Sequence, residues 1–226
     1  MSRGKMENLK ELRTFFNLTQ DELSKKLMIE DRTLISQYET RATPSIKVIK
    51  QLSEIFELSM DFIVWNNNCK YPRNLKLLNL TKEFDSSAQY QSRSHVEASA
   101  QIFLKDKSST EIKQDSIDFD LKDNFHSNLK EIRSFREKSQ LELSKYLGVG
   151  RTAITLYESQ NFPTLENLIK ISEYLNISMH ALVTGQKLNF QFTDGHFGKT
   201  MLLADRLLPL EKQKYLIELM EGISQK

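Results

Sequence analysis

The sequence predicts a mainly α-helical protein in which one small helical domain occurs twice. The first observation is a repeat: residues 8–27 read NLKELRTFFNLTQDELSKKL, and residues 128–147 read NLKEIRSFREKSQLELSKYL. The second is that the match continues downstream, where RTLISQYE (32–39) aligns with RTAITLYE (151–158). The third is the helical spacing of the apolar residues inside each copy. Two copies predict tandem domains, because a stacked repeat array needs at least about three repeats.

Each copy is predicted to fold as five short helices. A capping-box pattern starts the second helix, with Thr19 three residues before Glu22 in copy 1 and Ser139 before Glu142 in copy 2. The inward-facing positions of copy 1 are Leu9, Leu12, Phe16, Leu23, Leu27, Ile35, Tyr38, Ile46, Ile49, Leu52, Phe56, Met60, Ile63 and Val64. This pattern describes a small all-α domain.

Composition argues against several other classes of protein. Of the 226 residues, 39% are hydrophobic and 27% are charged, which is typical of a soluble globular protein. No apolar run approaches the ~20 residues of a membrane helix, and the first residues, MSRGKMENLK, lack an apolar signal core. The single cysteine, Cys69, cannot form an internal disulfide. We therefore expect a cytoplasmic protein that makes no membrane contact.

The sequence carries no pattern that predicts catalysis. It has no Gly-rich phosphate loop and no nucleophile beside a histidine and an acid. The histidines are His95, His126, His180 and His196. None has a metal-ligand spacing, so we expect no metal, no cofactor and no enzymatic activity. The net charge of +2 means that a nucleic-acid partner would have to be recognised by a few placed side chains.

Residues 19–39 predict two helices joined by a tight turn, the arrangement of a helix-turn-helix. Copy 1, with the pattern R…TQDELSKKL…RTLISQYE…P, resembles the phage lambda repressor/Cro family, also called the Xre type. Copy 2, with R…SQLELSKYLGVGRTAITLYE…P, resembles it even more closely. The resemblance covers roughly half of the chain. It implies a transcriptional regulator that binds double-stranded DNA, which we expect to be a repressor.

The resemblance also assigns roles to particular side chains. The positions that face DNA bases are Arg32, Thr33, Ser36, Gln37, Arg151, Thr152, Thr155 and Leu156. The positions that contact phosphates are Gln20, Arg41 and Gln140. Two pairs, Arg13 with Glu39 and Arg133 with Glu158, match an internal ion pair of the family, so we expect them to be structural rather than DNA-binding.

Both copies depart from the family pattern near the recognition helix. Copy 1 has MIED (28–31) where copy 2 has GVG (148–150), so its turn is one residue longer and lacks the usual glycine. Copy 2 has Leu156 where a polar base reader is common, and leucine cannot hydrogen-bond a base edge. The departures leave an alternative function open. It is a protein-interaction or antitoxin-like module in which one or both copies no longer bind DNA.

The chain is expected to divide into four segments. Helix-turn-helix domains occupy 1–66 and 123–185, a linker occupies 67–122, and a C-terminal segment occupies 186–226. Because the linker is rich in Ser, Asp, Gln and Lys, its composition favours a partly ordered connector. A small hairpin or a ligand-sensing insert is the alternative.

Local patterns refine the linker. LKLLNLTKEF (75–84) predicts a short helix. The alternation of Ile117, Phe119 and Leu121 predicts a short strand, with AQIFLK (100–105) as its partner.

The C-terminal segment combines an alternating stretch, a turn and a helix. KLNFQF (187–192) alternates, TDGHFGK (193–199) predicts a turn, and residues 201–223 predict an amphipathic helix whose second segment starts at Pro209. Its apolar face comprises Leu216, Ile217 and Met220. This face predicts either a homodimer contact, as in many family members, or packing on the same chain.

Overall fold

A computed structural model of the protein describes residue 6 and residues 8–31, 33–65, 73–105, 121–186 and 195–224. Across these residues the chain forms the α-helices α1 Leu9–Phe15, α2 Gln20–Lys26, α3 Thr33–Thr40, α4 Ile46–Phe56, α5 Met60–Trp65, α6 Leu75–Ser87, α7 Tyr90–Leu104, α8 Phe125–Phe135, α9 Gln140–Leu147, α10 Arg151–Tyr157, α11 Leu165–Leu175, α12 Met179–Thr184, α13 Gly195–Leu207 and α14 Leu210–Ser224. The prediction of a mainly helical protein is confirmed. None of these helices is long and apolar enough to span a bilayer.

The helices divide between two units. Unit 1 comprises Met1–Tyr71 and Asp118–Lys187 and holds both copies of the repeat. Unit 2 comprises Pro72–Ile117 and Leu188–Lys226. The predicted five helices per copy are confirmed, as α1–α5 and α8–α12.

The two copies in unit 1 bury aligned apolar positions. In copy 1, Leu9, Leu23 and Ile35 are fully buried. Their aligned positions in copy 2, Leu129, Leu143 and Ile154, are fully buried as well. Because these side chains come from the first three helices, each copy has its own small core beneath the helix-turn-helix. Helix α12 of copy 2 also packs against α4 and α5 of copy 1.

Both capping boxes form. The Glu22 backbone N–H donates to the Thr19 hydroxyl at 3.1 Å, and the Thr19 N–H donates back to the Glu22 carboxylate at 2.7 Å. Ser139 and Glu142 repeat the two contacts at the same distances. These hydrogen bonds, the backbone one foremost, hold the pKa of Glu22 and of Glu142 below its usual value. Both second helices therefore start at the residue that the sequence predicts.

Unit 2 is built from α6, α7, α13 and α14 around a shared apolar core. The buried core side chains are Leu77, Phe84, Val96, Ala100, Phe197, Met201, Ala204, Leu208, Leu216, Ile217 and Met220. Leu216, Ile217 and Met220 thus pack on the same chain, which is one of the two arrangements expected for the C-terminal helix. A homodimer through this segment would need another surface, and it stays a prediction.

A buried polar network joins the start of α6 to the end of α13 in unit 2. The carboxylate of Asp205 accepts the backbone N–H groups of Arg73 at 2.9 Å and Asn74 at 2.7 Å. The Asn74 side chain donates to Gln213 at 3.0 Å, and Gln213 donates to the Asp205 carbonyl at 2.7 Å. Burial raises the pKa of Asp205 to about 6.

Two local predictions are wrong. AQIFLK (100–105) is not a strand, because Ala100 to Leu104 belong to α7. The TDGHFGK turn is also wrong from Gly195 onward, because α13 starts there. In both places buried residues with helical spacing outweigh the local signal: Val96 and Ala100 in α7, and Phe197 and Met201 in α13.

Other local predictions are confirmed or lie outside the described residues. The helix predicted over 75–84 is confirmed as the larger part of α6, and Pro209 directly precedes α14. Ile117, Phe119 and KLNFQF lie outside the described residues.

Candidate nucleic-acid interface

A part-buried ion pair ties the recognition helix to the first helix in each copy. Arg13 on α1 donates through Nε to Glu39 on α3 at 2.6 Å, and through Nη1 to the Leu18 carbonyl at 2.8 Å. In copy 2, Arg133 on α8 donates to Glu158, directly after α10, at 2.5 Å, and to the Lys138 carbonyl at 2.6 Å. The four ion-paired side chains are only 4–13% exposed. Both arginines are thus held in the expected ion pairs, and a structural rather than a DNA-binding role for them stays a prediction.

The two glutamines expected to contact phosphate belong to the same networks. Gln20 at the start of α2 donates from Nε2 to Glu39 at 2.8 Å. Gln140 at the start of α9 donates to Glu158, also at 2.8 Å. Each glutamate thus links the first helix, the second helix and the end of the recognition helix. Both glutamines are only half-buried, and their contact with phosphate stays a prediction.

In copy 1 the recognition helix α3 presents a small polar face. Ser36 is exposed and Gln37 is half-buried on this helix. Arg41 is exposed just beyond the helix, and its contact with a backbone phosphate stays a prediction. Arg32 lies outside the described residues. Thr33 is exposed, but its hydroxyl and its backbone N–H both donate to Asp31, at 2.6 and 2.8 Å.

In copy 2 the recognition helix α10 presents a different face. Arg151, Thr152 and Thr155 are exposed, whereas Leu156 is half-buried. The Thr155 hydroxyl lies 3.5 Å from the Oε1 atom of Gln140. The structure therefore brings a candidate base reader next to a candidate phosphate contact in this copy.

The turn before the recognition helix begins identically in the two copies. Met28 adopts a left-handed conformation with φ +54°, and the aligned Gly148 has φ +70°. The next N–H then closes the turn in both, from Ile29 to the Ser24 carbonyl at 2.9 Å and from Val149 to Ser144 at 3.0 Å. Copy 1 thus makes this turn without the glycine, and its extra residue falls after Ile29.

Asp31 is a residue of this surface that the sequence reasoning missed. Its carboxylate caps the start of α3, and the Thr33 hydroxyl and N–H hold the pKa of Asp31 below its usual value. In copy 2, Gly150 holds the corresponding N-cap position without a side chain. The signal was available as an acidic residue two positions before Thr33. Copy 1 therefore carries a fixed negative charge beside its recognition helix where copy 2 carries none.

The five-helix fold, the part-buried arginine–glutamate–glutamine network and the exposed face of the recognition helix define the class of protein to which both copies belong. The chain contains two tandem helix-turn-helix domains of the lambda repressor-like, or Xre, type, a type that occurs in DNA-binding transcriptional regulators. The family models described as Helix-turn-helix and Helix-turn-helix domain match residues 9–63 and 127–188, so the predicted family is confirmed.

The chain is also similar to one characterised regulator over part of its length. It is 32% identical over 65 residues to the HTH-type transcriptional activator BcrR of Enterococcus faecalis. The match covers 28% of this chain and 32% of that protein. No solved structure matches the chain.

Proposed function

We propose that this protein is a sequence-specific, double-stranded DNA-binding transcriptional regulator that carries two recognition helices per chain. The observation that supports it most is the network in each copy. In both copies a part-buried Arg–Glu–Gln network ties the recognition helix to two other helices, and exposed side chains remain on its outer face. A rigid, outward-facing helix is what entry into a major groove requires.

The side chains on the two faces determine what each copy reads. Arginine bonds guanine in two places, which we assign to Arg32 and Arg151. Gln37 is suited to adenine, and Thr33, Thr152 and Thr155 to a thymine methyl. Arg41, Gln20 and Gln140 are assigned to phosphates, where they position the domain without reading sequence.

The two copies are expected to read different bases. Ser36 and Gln37 in copy 1 align with Thr155 and Leu156 in copy 2. A glutamine reads a base edge through two hydrogen bonds, whereas a leucine contacts only a methyl group, so the two positions read their base pairs by different contacts. One chain is therefore expected to bind two unequal half-sites.

We expect DNA binding to depend on only a few charged side chains. With a net charge of +2, the chain has little non-specific attraction for the phosphate backbone. We expect a shallow dependence of affinity on salt, with specificity carried by the two recognition faces. A regulator of this kind acts on the DNA of the cytoplasm.

We expect the protein to repress, because occupying a promoter needs no further partner. The Enterococcus faecalis protein of similar sequence is named an activator. A reporter with the selected site placed over, and then upstream of, a promoter separates the two outcomes. Repression predicts reduced expression from the overlapping site only.

The test of DNA reading is a comparison of variants on specific and random duplexes. R32A and R151A should each lose about 1–3 kcal/mol of discrimination for one base pair, with little change on random DNA. K214A removes a cation from the exposed surface of α14 in unit 2, and should change neither affinity. Equal losses on both duplexes would show instead that the arginines contact phosphates.

A second candidate function, binding of a protein partner by copy 2, is favoured by its surface. Leu141, Tyr146 and Phe162 are each about half exposed. The aligned residues of copy 1 are Asp21, Lys26 and Thr43. Exposed aromatic and aliphatic side chains of this kind are common in protein interfaces. Co-purification of a partner that Y146K abolishes, together with absence of salt-dependent DNA binding, would favour this function over DNA reading.

A further inference from the structure

Inside unit 1, copy 1 supplies the cap for a helix of copy 2. Asp61 on α5 is fully buried. Its carboxylate accepts the Ser178 hydroxyl at 2.5 Å and the backbone N–H groups of Met179 at 2.9 Å and His180 at 3.0 Å. These donors form the first turn of α12, so one side chain satisfies three polar groups of the other copy.

The residue of copy 2 that aligns with Asp61 is His180, as SMDFIV and SMHALV show. His180 is 3% exposed and lies at the same contact between the copies. Its Nδ1 atom is 3.2 Å from the Ser53 hydroxyl of copy 1, and its Nε2 atom is 2.9 Å from Gln186. The repeat has thus placed a carboxylate and an imidazole at equivalent positions of one buried junction.

Pairing two first copies in this way would be unfavourable. Each would bring its own Asp61, so two carboxylates would share one buried junction. Burial already raises the pKa of the single Asp61, which shows that the charged form is costly there. A second negative charge in the same low-dielectric site adds repulsion.

Pairing two second copies would fail for a different reason. Two His180 side chains would meet, and no carboxylate would be present. The Ser178 hydroxyl and the N–H groups of Met179 and His180 would then lose their acceptor in a buried place, which is unfavourable for each group. A first copy paired with a second copy supplies the Asp61 carboxylate to α12 and places His180 beside Ser53.

An ion pair at the edge of the junction also favours pairing of a first copy with a second copy. Lys50 on α4 lies 2.8 Å from Asp123, which precedes α8. The residue that aligns with Lys50 in copy 2 is Ile169, so a pair of second copies would lack this contact. Because both side chains are partly exposed, we expect this ion pair to add little to the stability of the protein. It still favours pairing between unlike copies.

We propose that this junction, made by α4 and α5 of copy 1 with α12 of copy 2, is a pairing surface that accepts only the unlike copy, with Asp61 and His180 as its specificity determinants. The partner of copy 1 is therefore copy 2 of the same chain, and the junction disfavours assembly through like copies of two chains. Pairing of this kind does not depend on whether the chain binds DNA.

The test uses the full chain in four forms: wild type, D61H, H180D and the exchange D61H/H180D. Each single variant should lower the urea midpoint followed by the fluorescence of Trp65, the only tryptophan of the chain, which ends α5. The exchange should recover at least half of the summed losses, because the carboxylate now on α12 can cap α5. Simple addition of the two losses would overturn the proposal.

A matched exchange and a second measurement guard against general unfolding. D21L/L141D swaps two aligned, exposed residues away from the junction and should leave the midpoint unchanged. D61N keeps one acceptor oxygen and should fall between wild type and D61H. Sedimentation of the wild type, D61H and H180D should give the same mass, because pairing inside one chain does not set the number of chains. A mass that changes with either substitution would place the pairing between chains and contradict the proposal.

Discussion

The two copies of the repeat share the polar network behind the recognition helix and differ on the outer face of that helix and at the buried junction. Arg13 and Arg133 reach their glutamates at 2.6 and 2.5 Å, and both glutamines donate at 2.8 Å. The copies differ at the turn, at the recognition face and at the junction. The comparison indicates that the fold needs specific buried hydrogen-bond partners, while the outward positions are free to take on separate tasks.

The largest expected effect tests whether the scaffold is the same in both copies. R13M and R133M each leave a buried glutamate without its cation, so each should lower the free energy of unfolding by about 3–5 kcal/mol. Urea unfolding measures the loss. K10M and K130M remove aligned, exposed lysines on the same helices and serve as controls. A large loss of unfolding free energy from only one of the two substitutions would show that the ion pair does not stabilise both copies alike.

The next effect tests whether the reading faces differ. Q37A should remove about 1–3 kcal/mol of discrimination at one base pair of its half-site, because a base-edge hydrogen bond is lost. L156A removes only an apolar contact and should cost less than Q37A. Fluorescence anisotropy on duplexes with single base-pair changes measures both. Equal losses would mean that the faces read alike.

A smaller effect tests the turn that the two copies make with different residues. G148A places a Cβ on a residue with φ +70°, and should lower the stability by about 1 kcal/mol. M28G removes the same strain from copy 1, and should raise the stability by up to about 1 kcal/mol. M28A keeps the strain while removing the side chain, which is 88% exposed. A gain from M28A equal to that from M28G would show that the backbone is not the cause.

The smallest effect concerns acid and the two capping boxes. The folded pKa of Glu22 and of Glu142 lies below the usual 4.5. Each therefore contributes stability that is present above pH 4.5 and is lost as the pH falls through the folded value. E22Q/E142Q should flatten this part of the curve of unfolding free energy against pH. An unchanged acid slope would mean that the capping carboxylates do not contribute.

The elements that the sequence predicted well are those fixed by local and repeated signals. Capping boxes and helical spacing located the five helices of each copy, because such signals lie within a few residues of each other. Because the same signals occur in both copies, each copy supports the helix boundaries predicted for the other. The contacts of Arg13 and Glu39 came only through the family resemblance, since they join residues distant in sequence.

The parts that the sequence did not reveal depend on tertiary contacts. AQIFLK reads as a strand until its helix α7 is seen to bury Val96 and Ala100 against α13. The cap formed by Asp61 could not be predicted from the sequence, because the donors at Ser178 to His180 lie in the other copy. Aligned positions with opposite chemistry, here Asp61 and His180, are a signal that could have marked the junction.

Selection of bound sequences from random double-stranded DNA by the full chain tests the central claim most directly. The two unlike recognition faces predict one composite site with two unequal half-sites, and disruption of either half should weaken binding by the intact chain. A perfectly symmetric short palindrome bound by a single chain, or no enriched sequence at all, would contradict the account.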